Sequence, residues 1–250
     1  MKKTTLRTMI SEQHKMNKKA SGHLWPIYIH KTNKIINWKR AIHLETAELI
    51  ESYPWKHWKN VDAPIDTLNV AIETSDIWHF VLSLFIADYI TNLDIINKKS
   101  TEEEVDKLIE KTSKKMAKQL KKHIKYGKKS AFFENYSTED IDETLFPFEL
   151  FALNTNPVND DSSVDEIVEM FFDITHNVLD LNIESIYFGK MVLNNFRNDN
   201  GYEAGTYIKT WHLNDDRKVE DNVVMFELIQ EDLTKEELYQ MLEEVYRNLK

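Results

Sequence analysis

Apolar residues recur at intervals of three and four along most of this 250-residue chain. This is the periodicity of amphipathic α-helices. It predicts helices over about residues 5–19, 37–52, 68–92 and 98–129, a long helix or a helix pair over 164–197, and a closing helix capped by Thr234. Five glycines and five prolines are few for a turn-rich β architecture. The pattern therefore predicts an all-α fold.

Two of the predicted helices carry carboxylates within their apolar stripes. Glu45 and Glu48 share a helical face with Leu49, and Glu73 and Asp76 lie among apolar residues of the next helix. Buried carboxylates of like charge are costly unless they are paired, and some of them would have to take up protons. A cation held between the two helices would remove that cost.

The spacing of these acids is not evidence by itself. Chance gives about seven acid-x-x-acid pairs in a chain of this composition, and seven occur. The argument depends instead on the apolar positions that the four acids occupy, and two structural alternatives stay open. In one, one or both helices are simply exposed on the face that bears these acids. In the other, the acids join a buried ionic network, whose candidate partners are Arg40, Lys56, Lys59 and His79.

Two such motifs on successive helices favour a metal site over both alternatives. The chain contains no cysteine, so thiolate zinc sites and disulfides are excluded. Carboxylate oxygens are the ligands that Mg²⁺ prefers, with Mn²⁺ as a substitute. Because protein-bound Mg²⁺ commonly completes its shell with water and substrate phosphate, the implied chemistry is phosphoryl transfer or hydrolysis.

Charge and hydropathy narrow the class of protein. The net charge of −10 argues against a general nucleic-acid binder. The N-terminal segment is basic but has no apolar signal core, and the longest apolar run, residues 80–90, is too short to cross a bilayer. We therefore expect a cytoplasmic protein with neither a nucleic-acid nor a membrane partner.

The middle of the chain has a different composition from its ends. Residues 98–129 hold 12 lysines and five acids, so this segment carries +7 and the remainder −17. Its apolar residues predict an amphipathic helix with a solvated lysine face, an interpretation that the sequence favours over a nucleic-acid-facing or phosphate-facing role. Residues 134–163 are acidic and resemble a turn-rich connector. We expect one domain over residues 1–250, with the lysine-rich helix and the acidic insert at about 97–163.

Several stretches resemble one known family. The acid quartet, with 24 residues between its two motifs, is similar to that of the all-α nucleoside triphosphate pyrophosphatases. The surrounding sequence motifs are more specific, and they resemble those of the dimeric, all-α dUTPases. They are "WKRAIHLETAELIES" from Trp38, "WKHWKN" from Trp55, "IETSDIWHFVLSL" from Ile72, "NNFRNDNGYEAGTYIKTW" from Asn194 and "EDN" from Glu220.

The resemblance implies a helical pyrophosphatase-like fold with a four-helix catalytic core. It also implies a Mg²⁺-dependent homodimer that hydrolyses dUTP and dUDP to dUMP, which limits uracil in DNA and supplies dUMP. The implied metal ligands are Glu45, Glu48, Glu73 and Asp76, and Glu48 is the residue expected to activate water. The implied phosphate-binding residues are Lys190, Arg197, Tyr202 and Lys209. The implied base and sugar contacts are Gln13, Asn17, Trp58, His79, Phe80 and Asn194.

Two other functions stay open on the sequence alone. One is a sister enzyme of the same superfamily that acts on dCTP or a modified nucleotide. The other is a catalytically silent helical protein that binds a protein partner, which the intact set of acids and cations disfavours. The segment before "EDN" is longer than is usual in the family, so Asp221 and Asn222 receive no role here, and neither do residues 97–163.

Overall fold

In the computed structural model, residues 1–130, 132–133, 140–158, 161–213, 217–229 and 233–249 are described. Within these ranges the chain forms nine α-helices and one small antiparallel sheet. The helices are α1 (Lys3–Ser21), α2 (Trp38–Glu51), α3 (Thr67–Thr91), α4 (Glu102–Gly127), α5 (Ile141–Thr155), α6 (Val164–Asp173), α7 (Ile183–Asp199), α8 (Asp221–Leu228) and α9 (Lys235–Arg247). The two strands are β1 (Thr210–His212) and β2 (Lys218–Glu220). The all-α prediction is confirmed.

Side-chain caps define where most of the helices begin. Asn37 is the N-cap of α2 and Asp66 is the N-cap of α3, because each side chain accepts a hydrogen bond from a backbone N–H three residues later. Reciprocal capping boxes begin three more helices, at Thr101, Ser163 and Thr234. These signals are local, which is why the predicted starts agree closely with the observed ones.

The prediction that the acidic stretch 134–163 is a turn-rich connector is wrong for Ile141–Thr155. This segment is helix α5, in spite of Pro147 in its interior. Phe148 and Phe151 are buried, and α5 packs along α2. Burial of these aromatic side chains outweighs the cost of the proline and of the acidic composition. Residues 134–139 and 159–160 of the same stretch lie outside the described ranges.

Helix α3 forms the centre of the molecule. It has the length and hydropathy of a membrane span, but 89% of that window is buried inside the protein, as in a core helix. It packs against α2, α7, α6 and α1. Pairs of contacts show that α3 and α7 run antiparallel: His79 stacks on Tyr187, and Asp76 pairs with Lys190. The second half of α7 extends into a smaller core with α8, α9 and β1.

Candidate active site

Three carboxylates from α2 and α3 meet at one point. Ligand oxygens of Glu45, Glu73 and Asp76 all lie within 4.8 Å of one another. Burial, followed by the charges of its neighbours, raises the pKa of Glu45 to about 7 and that of Glu73 to about 8. Because these two pKa values lie near or above neutrality, the pair is partly protonated at pH 7. The group is therefore strained by like charge and partly relieved by protonation.

These residues fit a divalent metal ion. The three side chains offer only oxygen donors, which suits hard cations, and a cation would take over the charge neutralisation that protons supply here. Glu48 is exposed and lies outside this compact group. Its charge nevertheless contributes to the raised pKa values of Glu45 and Glu73, so it lies beside them.

A buried lysine is the cation that the structure places against this group. Lys190 is 2% exposed, and its Nζ donates to Asp76 Oδ2 at 2.7 Å and to Asn222 Oδ1 at 2.8 Å. The ionic network considered from the sequence had other partners, and one of those, Lys56, pairs instead with Glu51. The alternative of an exposed helix face is wrong for α3, where Glu73 is only 8% exposed.

Arg197, about two turns beyond Lys190 on α7, is held by a residue of α8. Its Nε and Nη2 donate to the two carboxylate oxygens of Asp221, at 2.8 and 2.7 Å. Asp221 is fully buried, and it also accepts from the hydroxyl of Tyr207 at 2.8 Å. Burial alone would lower the pKa of Arg197, but the hydrogen bonds and charge of Asp221 raise it. Asn222 accepts from both Lys190 and Arg197 and so links the two cations.

The other two predicted phosphate-binding residues lie on the loop that follows α7. Tyr202 is 44% exposed, and Lys209 Nζ lies 5.4 Å from the centre of its ring. Gly201 has a φ of +93°, and a Cβ added there would lie 2.1 Å from Thr206 Oγ1, so this turn requires glycine. The structure thus separates the predicted phosphate group into a buried pair and an exposed pair.

A buried polar network extends from the acids along α3. Gln13 Nε2 donates to Asn17 Oδ1 and to Ser83 Oγ, each at 3.0 Å. Gln13 Oε1 accepts from His79 Nδ1 at 2.8 Å and from the hydroxyl of Tyr187 at 3.3 Å. Three predicted base or sugar contacts therefore lie together.

His79 leaves one ring atom without a protein partner. Burial, with the nearby charge of Lys190, lowers the pKa of His79 to about 3, so the ring is neutral. Because Nδ1 donates to Gln13, Nε2 is the unprotonated atom and can only accept. Within the described residues, Nε2 is buried and has no hydrogen-bond partner.

The remaining predicted base contacts are more dispersed. Asn194 lies beside the phosphate-binding pair, since its Oδ1 is 3.4 Å from Arg197 Nη1. Phe80 is partly buried, with its ring 6.0 Å from that of Trp38. Trp58 is 60% exposed, and its described ring contacts are with Trp55 and His57. The structure does not bring Trp58 into the network around Gln13.

Sequence reasoning missed several residues of the site. Ser83 and Tyr187 complete the polar network, and Asp221 and Asn222 hold the cations. Helical spacing was an available signal for two of them, because Ser83 follows His79 by one turn and Tyr187 precedes Lys190 by one turn. For Asp221 the sequence offered only its place in the "EDN" word.

Comparison with known families agrees with this geometry. A family model described as dUTPase matches residues 4–202, which include every predicted site residue except Lys209. A comparison with curated proteins found no match. The Asp221 and Asn222 contacts lie beyond the matched range.

Proposed function

Since this chain belongs to the dimeric, all-α dUTPase family and is a dUTP diphosphatase, we propose that it uses Mg²⁺ to hydrolyse both dUTP and dUDP to dUMP. The observation that supports this best is the order of groups along α3. Glu73 and Asp76 are followed after one turn by His79 and after another by Ser83. Ten residues of helix span about 15 Å, enough for a nucleotide to lie with its phosphates at the acids and its base near His79.

Glu45, Glu73 and Asp76 would hold the metal, with Glu48 completing the set from the exposed side. When bound, the metal supplies charge neutralisation for the phosphate chain and lowers the pKa of a coordinated water. Glu48 is free to orient the attacking water and to accept its proton, because it is exposed and lies outside the compact group. In this assignment all four carboxylates bind the metal, and Glu48 alone also transfers the proton.

The cations of α7 would bind the phosphates. Lys190 and Arg197 are preorganised by buried partners, so little side-chain entropy is lost when a phosphate binds. Arg197 keeps one N–H of Nη1 for substrate, because Asp221 and Asn222 engage Nε and Nη2, and the other N–H of Nη1 donates to Asn194 Oδ1 at 3.4 Å. Tyr202 and Lys209 would then close on the outer phosphates from the exposed loop.

The unpartnered acceptor of His79 would select the base. Uracil has an N–H at position 3, flanked by two carbonyls, whereas cytosine has a bare acceptor at that position. A buried His79 Nε2 that can only accept matches the uracil N–H and opposes the cytosine acceptor. Mismatched buried polar groups discriminate strongly, so dCTP should be rejected more than dTTP, which differs by a methyl group.

A substrate panel tests the proposal. We expect dUTP and dUDP to be hydrolysed with Mg²⁺, dTTP to be a poor substrate and dCTP the poorest, with all turnover lost in excess chelator. Comparable specificity constants for dUTP and dCTP would overturn the uracil preference and assign the chain to a sister activity. Full activity with no divalent metal would overturn the role of the acids.

We also propose a homodimer, in which apolar side chains of α2 and α5 contribute to the contact. The side chains of Leu44 and Leu153 are 54% and 57% exposed. His43 Nδ1 lies 2.9 Å from the carbonyl oxygen of Ala152, so these two leucines lie on neighbouring parts of one surface. Light scattering should give twice the mass of the chain, and Leu44→Asp with Leu153→Asp should give a monomer. A monomeric parent protein would exclude the proposal.

A further inference from the structure

One row of lysines follows the outer surface of α4. Its members alternate at intervals of four and three residues, so they lie along one side of the helix. We call this row the lysine stripe; it consists of Lys107, Lys111, Lys114, Lys118, Lys121, Lys125 and Lys128. All seven are exposed. At 1.5 Å per residue the row is about 32 Å long.

The stripe is an unusual concentration of one charge sign. Residues 111–129 contain nine lysines and no acid, so they carry +9 while the rest of the chain carries −19. Among the described residues, the stripe forms a single ion pair, between Lys107 and Glu103 at its N-terminal end. Like charges three and four residues apart destabilise a helix, so a polar face alone would be better served by mixed signs.

The opposite face of α4 packs against the core of the protein. Met116, Leu120 and Ile124 are buried, and α4 packs along α1 and α6. No predicted or observed residue of the active site belongs to α4. The stripe is therefore a fixed surface feature that the nucleotide chemistry does not explain.

We propose that the lysine stripe binds the phosphate backbone of duplex nucleic acid without reading its sequence. The positive charge of the stripe is complementary to the phosphates that are regularly spaced along a duplex. Its length is also close to one helical repeat of the duplex. Lysine is a flexible point charge suited to phosphate, and the stripe offers no amide or arginine fork for base edges. The net negative charge of the chain does not prevent this, because charges beyond about 8 Å are screened at physiological ionic strength.

Other partners fit the same surface less well. A protein interface needs a desolvated apolar centre, and lysines are depleted from such centres. Among the residues of α4, Tyr126 is an exposed aromatic side chain, and Lys122 Nζ lies 5.4 Å from the centre of its ring. A membrane is a flat anionic surface, which the acidic remainder of the molecule would repel. The apolar face of α4 is already buried in the core and cannot insert into a membrane. A rod can contact the row alone.

The test is the salt dependence of binding between the full chain and a labelled mixed-sequence duplex of about two helical turns. Each phosphate neutralised contributes about −0.9 to the slope of log K against log salt, so five to seven contacts give about −4 to −6. A fourfold variant of the stripe should flatten the slope by about 3 to 4. It carries Lys114→Gln, Lys118→Gln, Lys121→Gln and Lys125→Gln.

The matched control removes the same charge from exposed lysines elsewhere and should keep the parent slope. It carries Lys2→Gln, Lys3→Gln, Lys34→Gln and Lys218→Gln. Turnover of dUTP should be unchanged in both variants, which shows that they are folded. Absence of duplex binding at low salt, or equal loss in the two variants, would overturn the proposal. Stripe-dependent binding to phosphatidylserine vesicles without binding to the duplex would also overturn it, in favour of a membrane surface.

Discussion

Replacement of Asp221 by Asn tests whether this buried carboxylate holds Arg197 in place for the substrate. The substitution keeps the size of the side chain but removes its charge and one acceptor. It leaves Arg197, which is 8% exposed, without its counter-charge. Because Arg197 donates to both carboxylate oxygens, one of its N–H groups must then face the amide NH₂ in either orientation, and the hydroxyl of Tyr207 also loses its acceptor if the amide nitrogen replaces Oδ2.

The size of the effect follows from the contacts. Removal of one partner from a buried ion pair costs about 3–5 kcal/mol, and an amide that keeps one hydrogen bond reduces this to about 2–4 kcal/mol. In a chain of this length that corresponds to a fall in Tm of about 5–15 °C. Kinetically, Arg197 loses its orientation toward phosphate, so KM for dUTP should rise about tenfold or more, as for a lost charge-assisted contact.

An exposed pair in the same part of the chain provides the control. Arg217 and Glu227 form a similar two-bond contact, but their side chains are 46% and 45% exposed. Because solvent screens such a pair, Glu227→Gln should cost at most about 1 kcal/mol and leave KM unchanged. Thermal unfolding and steady-state kinetics on both variants decide the matter. If Asp221→Asn matched Glu227→Gln in Tm and KM, the positioning role of Asp221 would be refuted.

Three further predictions concern the metal and the base. Glu73→Gln and Asp76→Asn should each abolish turnover, while Glu73→Gln should raise Tm in chelator because it removes a like charge; near-normal activity of both variants would contradict the metal site. His79→Phe and Asn194→Ala should reduce the preference for dUTP over dCTP while leaving Mg²⁺ affinity, measured by calorimetry, within about twofold. Phe80→Ala should admit dTTP, and an unchanged ratio of dUTP to dTTP specificity constants would remove Phe80 from the base pocket.

The local structure was predictable because its causes are local. The apolar period defines the buried faces of α1 to α3, and capping residues such as Asp66 and Thr234 define helix starts without any tertiary contact. The same period showed that Glu73 and Asp76 occupied apolar positions, so a charged cluster could be expected before its geometry was known. The motifs that resemble the dUTPase family then indicated the substrate class.

Helix α5 shows where such reasoning fails. Its acidic first turn and Pro147 weaken the helical signal, and only burial of Phe148 and Phe151 beside α2 makes the helix favourable. Whether a segment is buried depends on the other elements that pack against it. The sequence of the segment alone therefore does not reveal its burial.

The chain by itself therefore determined most of the helices, the two acidic motifs and the family, because each depends on residues near one another in sequence or on recognisable motifs. Tertiary structure decided which charges meet. The antiparallel crossing of α3 and α7 places Lys190 against Asp76, 114 residues apart. The packing of α8 on α7 seals Asp221 over Arg197. Side-chain pairing at such separations depends on the relative position of whole helices, which the packing of the entire core fixes.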